Sequence, residues 1–237
     1  MTVTEPTTPI RLDRWSGACW VAAGLLLALG VFHPDVTETT FADAALETPL
    51  WVLMHAAALV AVVLTLFGLI GLYAARAERM GRLGAIGFSL AVPGLVMTGC
   101  VAYAEAFLLP VIAADTPEPF GWDGPVVTSW AVRATTGLAL LWLVGLFLLG
   151  LALWRSGVVP RAVGATLAAS AVAFTVFAGP FVPVLGQLST LAFAASYVWV
   201  GAALWNGATG QVEMMESLHP PERRPRRLHL PGRARRV

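Results

Sequence analysis

Residues 50–74 read LWVLMHAAALVAVVLTLFGLIGLYA. A short basic stretch, ARAERMGR at 75–82, follows, and residues 83–114 then read LGAIGFSLAVPGLVMTGCVAYAEAFLLPVIAA. The first run carries no charged residue, and the second carries only Glu105. A helix rising about 1.5 Å per residue needs about 20 apolar residues to cross a hydrocarbon core about 30 Å thick, and both runs are long enough. Lipid cannot satisfy backbone polar groups, so a spanning segment is either a helix or a strand of a closed barrel. Runs this long and this uniformly apolar are helices. The sequence therefore predicts two membrane helices joined by an arginine-bearing turn.

The same reading extends outward along the chain. Apolar spans are expected at about 16–32, 50–74, 83–114, 126–154, 162–178 and 184–205. The fold class is thus all-α: a polytopic integral membrane six-helix bundle over residues 1–206, followed by a disordered basic tail at 207–237. Composition agrees. Hydrophobic residues make up 57% of the 237 and charged residues only 12%, about half the charged share of a soluble domain. That excludes a disordered chain and a typical soluble enzyme.

Charge placement sets the orientation. All basic residues are Arg. Arg11 and Arg14, then Arg76, Arg79 and Arg82, then Arg155 and Arg161, then the tail fall on one side of the predicted spans. Asp35, Glu38, Asp43, Glu47, Asp115, Glu118 and Asp123 fall on the other. The arginine-rich side is cytoplasmic by the positive-inside rule, which puts both termini inside. Arginine without lysine, in a chain rich in Ala and Gly, reads as GC-rich bacterial coding. The expected location is the bacterial cytoplasmic membrane, multi-pass. The first span is read as an uncleaved helix, because its apolar run is longer than a signal-peptide core. The tail holds Arg223, Arg224, Arg226, Arg227, Arg233, Arg235 and Arg236 among four prolines. It serves either as a topology determinant or as a contact for anionic lipid, at about 1 kcal/mol per Arg near the surface.

Four polar residues mark the outer ends of the spans: His33, His55, Glu105 and Arg133. His33 lies 19 residues after Arg14, His55 21 before Arg76, Glu105 23 after Arg82, and Arg133 22 before Arg155. Helical rise puts them about 28, 32, 34 and 33 Å above those arginines. They form one layer near the outer edge of the core, supplied by four helices, and they are the candidate binding residues. Glu105 sits between Ala104 and Ala106, ahead of Phe107, Leu108 and Leu109. A carboxylate there is costly unless paired or protonated. One reading is an ion pair with Arg133 that locks two helices. The other makes Glu105 an acid or proton carrier, and hence the candidate catalytic residue. His33, His55 and Glu105 are also the candidate metal ligands, as a two-His-one-carboxylate set, and two facing His are the haem alternative. No motif indicates a cofactor. Pro93 is expected to kink its helix. Trp15, Trp51, Trp154 and Trp205 read as interface anchors. Cys19 and Cys100 lie about 20 Å apart in depth and cannot pair.

The pieces HAAAL at His55–Leu59, GLIGLYAAR at Gly68–Arg76, GRLGAIGF at Gly81–Phe88 and YAEAFLLP at Tyr103–Pro110 resemble a group of uncharacterised multi-spanning membrane proteins of actinobacteria and related bacteria. The resemblance covers about a quarter of the chain. It implies that His55 and Glu105 belong to the group's pattern, and it implies no activity.

Three functions fit. The first is a structural or accessory membrane protein, with a closed Glu105–Arg133 pair. The second is a small-molecule binder or transporter with an outward-facing site. The third is an intramembrane enzyme on a lipid-like or prenyl substrate, with Glu105 as acid. The accessory reading is the leading expectation. The expected partners are the lipid bilayer, anionic lipid at the tail and a second membrane protein. Nucleic acid is not expected, since there is neither a phosphate loop nor a folded basic face.

Overall fold

In the computed structural model, residues 8–34, 39–179 and 182–218 are described, and among them there are helices but no strands. Helix α1 (Thr8–Leu27) tightens into a 3₁₀ turn at Ala28–Phe32. A short α2 (Phe41–Glu47) precedes the long α3 (Trp51–Tyr103). A π-helical turn at Ala104–Leu108 leads into α4 (Leu109–Asp115). After α5 (Pro125–Thr128) come α6 (Trp130–Ala139) and α7 (Leu141–Ser156). Helix α8 (Arg161–Ala173) ends in a second π-helical turn at Phe174–Ala178, and α9 runs Leu185–Leu218.

Among the described residues, five helical segments are long and apolar enough to cross a membrane: Ile10–Phe32, Trp51–Asp115, Trp130–Ser156, Arg161–Ala178 and Leu185–Gly207. The second is 65 residues long, more than twice what a bilayer needs. It is broken at Gly81, whose φ of 59° and ψ of −157° are not helical, a backbone region open essentially to Gly alone. The chain folds back there. Tyr73 stacks on Phe88 with ring centroids 4.3 Å apart, Gly99 lies against Val62 and Leu59, and His55 meets Glu105. The arginine-bearing turn expected at 75–82 is thus helical up to a one-residue break at Gly81. Pro93 lies within continuous helical dihedrals, so the break in α3 falls at the glycine and not at the proline.

Other boundaries also differ from the sequence reading. Helix α1 begins well before 16 and carries Arg11, Asp13 and Arg14 within it. The apolar stretch at 126–154 is divided among α5, α6 and α7. Helix α9 continues past 207 to Leu218, and the arginine-rich residues 219–237 lie outside the described residues.

The helices close into a ring. Helix α1 packs on α9 and on the first half of α3, the second half of α3 packs on α7, α7 on α8, and α8 on α9. Apolar side chains gain little by leaving lipid for one another, so close backbone approach and van der Waals contact must supply the attraction. Glycines provide that approach. A methyl group on Gly17 would lie 2.7 Å from the Gly201 carbonyl oxygen, and one on Gly87 would lie 2.9 Å from that of Gly145. Trp20, Phe193 and Tyr197 fill the centre with Leu69, Leu146 and Leu167, and the Trp20 and Tyr197 rings are 4.5 Å apart.

The two ends of the bundle are built differently. At one end, α1 and α3 are joined by a buried ion pair. The Arg76 guanidinium donates from Nε to both Asp13 carboxylate oxygens, at 3.1 and 3.3 Å, and from a terminal nitrogen to one of them. Arg79 reaches the carbonyls of Ser156 and Gly157, at 3.3 and 3.1 Å, where α7 ends on left-handed Gly157. A cation satisfies exposed carbonyls there and opposes the helix dipole. Arg14 sits over the Trp205 ring, 4.9 Å from its centroid. At the other end, α2 forms a cap. Thr40 caps its start by accepting from the Asp43 amide at 3.1 Å, the usual role of a hydroxyl at that position. Ala42, Ala44 and Ala45 bury against Trp51, Met54, Leu109 and Ala113. The Trp122 indole donates to the Thr39 carbonyl at 3.0 Å, so the two acidic connections hold each other over this end.

Candidate functional site

The cluster under the cap grows from a backbone defect. In a regular helix the Glu105 carbonyl would accept from the Leu109 amide. Here the Leu109 amide serves the Ala104 carbonyl instead, in π register. The next candidate donor would be residue 110, which is a proline with no N–H. The Glu105 carbonyl therefore lacks both of its helical donors, and the Trp51 indole Nε1 donates to it at 2.7 Å. A buried carbonyl left without a donor would cost about 1–3 kcal/mol, so this bond fixes the start of α3 to the π turn. Insertions of this kind recur at functional sites.

Trp51 is 1% exposed. It is a buried structural donor and not the interface anchor the sequence suggested, whereas Trp15, Trp154 and Trp205 are exposed as expected. One turn along α3, His55 is also buried, and its ring centroid is 4.2 Å from that of Trp51. His55 Nδ1 is 2.8 Å from the Trp51 carbonyl oxygen. Its other nitrogen, Nε2, is 3.4 Å from Glu105 Oε2. The Glu105 side chain is 33% exposed, so the pair lies at the edge of the packed region. His33, just past the 3₁₀ turn, places its ring edge-on to His55 with centroids 5.3 Å apart, and its Nδ1 is 2.8 Å from the Pro34 carbonyl oxygen. Burial lowers the His33 pKa from its ordinary 6.5, and the bond to Pro34 offsets part of that shift.

The structure thus brings His33, His55 and Glu105 together and leaves Arg133 apart. Arg133 is exposed on α6 and donates from Nε to the Val127 carbonyl at 3.3 Å. Glu105 is paired with His55 and not with Arg133, which corrects the expected lock between those helices. The arrangement also does not suit the expected metal set. Among the described residues, no group of three His, Cys, Asp or Glu side chains is placed to hold a metal ion. The reason is visible in the rings. Both Nδ1 atoms are directed at carbonyls, and the two imidazoles meet edge to face instead of presenting nitrogens to a common point.

His33 also borders a cavity that the sequence did not reveal. Its volume is about 230 Å³. Leu26, Leu27 and Gly30 wall it from α1 and its 3₁₀ turn, and Met54 and Ala58 from α3. Phe174 and Ala178 of the second π turn and Gly186 of α9 complete the wall, with Gln187 and Thr190 as its polar members besides His33. The Thr190 hydroxyl is spent on the Gly186 carbonyl at 2.9 Å, which leaves the lining largely apolar. Next to the cavity, Val184 has a φ of 62°, an outlier for a β-branched residue.

A second arrangement missed by the sequence reading is the Asp13–Arg76 pair. Its signal was present: Asp13 is the acidic residue standing between Arg11 and Arg14.

The model of a domain of unknown function, DUF4383, matches residues 12–117, less than half of the chain. The matched segment contains Asp13 and Arg76 as well as His33, Trp51, His55 and Glu105. No curated protein and no solved structure matches the chain. Among its described residues the chain is all-helical, with apolar helices fit to cross a membrane, and its first half is similar to an uncharacterised domain family.

Proposed function

We propose that this protein is a multi-pass protein of the bacterial cytoplasmic membrane that binds a small, mostly apolar ligand at its outer end. In this reading the chain crosses six times, because the segment broken at Gly81 supplies two crossings. Both termini lie on the cytoplasmic side, where Arg14, Arg76 and Arg79 gather. The arginine-rich tail adds to that bias and attracts anionic lipid.

The observation that carries the binding function is the cavity of about 230 Å³. A concave, largely apolar site with few polar groups is the usual form of a small-molecule pocket. Its lining has no charged side chain apart from what His33 can carry, so a neutral alkyl or isoprenoid chain suits it and an ionic solute does not. The accessory reading required a closed Glu105–Arg133 pair, which is not formed, and so carries less support. The enzyme reading places Glu105 beside the substrate, whereas the cavity lining includes His33 and neither His55 nor Glu105.

The test is photolabelling of the purified protein in lipid nanodiscs with a diazirine-bearing alkyl probe, followed by peptide mapping. Labels concentrated on Met54, Ala58 and Phe174, and removed by Ala58→Phe, support a binding cavity. Labels spread over lipid-facing residues such as Leu188 and Val111, and insensitive to Ala58→Phe, would overturn it.

A further inference from the structure

We infer that His55 and Glu105 together form a proton-binding site, which holds one exchangeable proton between the His55 Nε2 and the Glu105 carboxyl. The inference goes beyond ligand binding and does not depend on the cavity being filled. It follows from counting donors and acceptors. The Trp51 carbonyl oxygen can only accept, and His55 Nδ1 is 2.8 Å from it. A hydrogen must therefore sit on Nδ1. In the neutral ring, that leaves Nε2 as a bare lone pair. This lone pair faces Glu105 Oε2 at 3.4 Å. An ionised carboxylate is acceptor-only, so two acceptors would oppose one another at the edge of an apolar region. One further proton removes the conflict. It resides either on Nε2, giving imidazolium and carboxylate, or on Glu105, giving imidazole and carboxylic acid.

Among the described residues, the surroundings offer no other partner to neutralise Glu105. From the end of α1 the facing group is His33, whose pKa burial lowers. From α3 it is Trp51, which contributes an uncharged indole to the Glu105 carbonyl and not to the carboxylate. From the cap, Asp43 is bonded to Thr40, and both Asp43 and Glu47 are exposed. From α6, Arg133 is turned to Val127. Among the described residues, His55 is the one basic side chain at ion-pair distance from Glu105. Trp51 thus has two parts in the site. Its carbonyl sets the tautomer of His55, and its indole holds the π turn that aims Glu105.

The site is testable in the wild-type protein, because the chain has only four histidines. With ¹⁵N-histidine labelling in nanodiscs, long-range ¹H–¹⁵N spectra read which ring nitrogens carry hydrogen. His55→Asn assigns the signals. In parallel, dicyclohexylcarbodiimide at pH 7 reports the carboxyl: a protonated acid adds its O–H across one C=N bond, and the acyl urea that forms keeps every atom of both reactants. Glu105→Gln identifies the labelled residue. Imidazolium at His55, or an Nδ1–H imidazole together with labelled Glu105, supports the site. A neutral His55 with unlabelled Glu105 would overturn it, as would a neutral ring protonated on Nε2 alone. Should Glu105→Gln fail to fold, peptide mapping of the wild-type label gives the same decision.

Discussion

Removing one partner of the Asp13–Arg76 pair tests how α1 is held to α3. The Asp13 side chain is 3% exposed and that of Arg76 16%. At about 4 Å and an effective dielectric of about 20, opposite charges attract by about 4 kcal/mol. Most of that attraction repays desolvation, so the net value of the pair is small, but stranding one charge costs about 3–5 kcal/mol. Arg76 is the less buried partner and can recruit water or a lipid phosphate once Asp13 is gone. Asp13→Leu is therefore expected near the lower end of that range, about 3 kcal/mol, and Arg76→Met, which strands the deeper carboxylate, toward the upper end. The double variant leaves no stranded charge and should recover most of the loss, so the two changes are expected to be strongly non-additive. The assay is equilibrium unfolding by SDS in mixed micelles, followed by tryptophan fluorescence, since buried Trp20 reports the same α1–α3 contact. Single losses below about 1 kcal/mol, as for exposed ion pairs, would refute the reasoning. An additive double variant would refute it too.

Two further outcomes are expected. Gly81→Ala should destabilise the protein by about 1–3 kcal/mol through backbone strain alone, because a methyl group there meets nothing within 4 Å. A D-alanine at the same position, whose mirror-image preference suits a positive φ, should restore stability in the same titration, and failure to do so would point to another cause. His33 gives a pH dependence. Its folded pKa lies below the ordinary 6.5 because burial favours the neutral ring, so the unfolded chain binds more protons in that window. The contribution of His33 is complete above about pH 6.5 and is lost as pH falls through 6.5 toward the folded value. His33→Phe should flatten that part of the stability profile, and an unchanged slope would show that the ring titrates as if exposed.

Much of the fold could be read from residue order, for a physical reason. The bilayer imposes one length and one polarity on every crossing, so the runs at 50–74 and 83–114 announce themselves without knowledge of their neighbours. The arginines announce a side in the same local manner. Helix ends were less legible. Asp13 reads as a flanking charge until Arg76 is seen to meet it, and the whole basic stretch at 75–82 reads as the turn although one glycine is enough to reverse the chain.

The candidate site was legible only in part: the depth of its residues could be read, but not their pairing. His33, His55 and Glu105 could be put at one depth because helical rise converts sequence distance into height. Rotation about each helix axis decides which of them meet, and that depends on glycine contacts between helices distant in sequence. The same limit explains why height alone makes Arg133 a candidate partner of Glu105, and why Trp51 reads as an anchor. The sequence by itself determined that the chain is helical, how its apolar segments are spaced and where its few charges stand, because each follows from local composition. Only the tertiary structure decided that a π turn ahead of Pro110 frees the Glu105 carbonyl for Trp51, that His55 faces Glu105, and that four segments leave a cavity beside His33. Those facts depend on how helices turn toward one another, which close packing fixes and no single stretch of sequence contains.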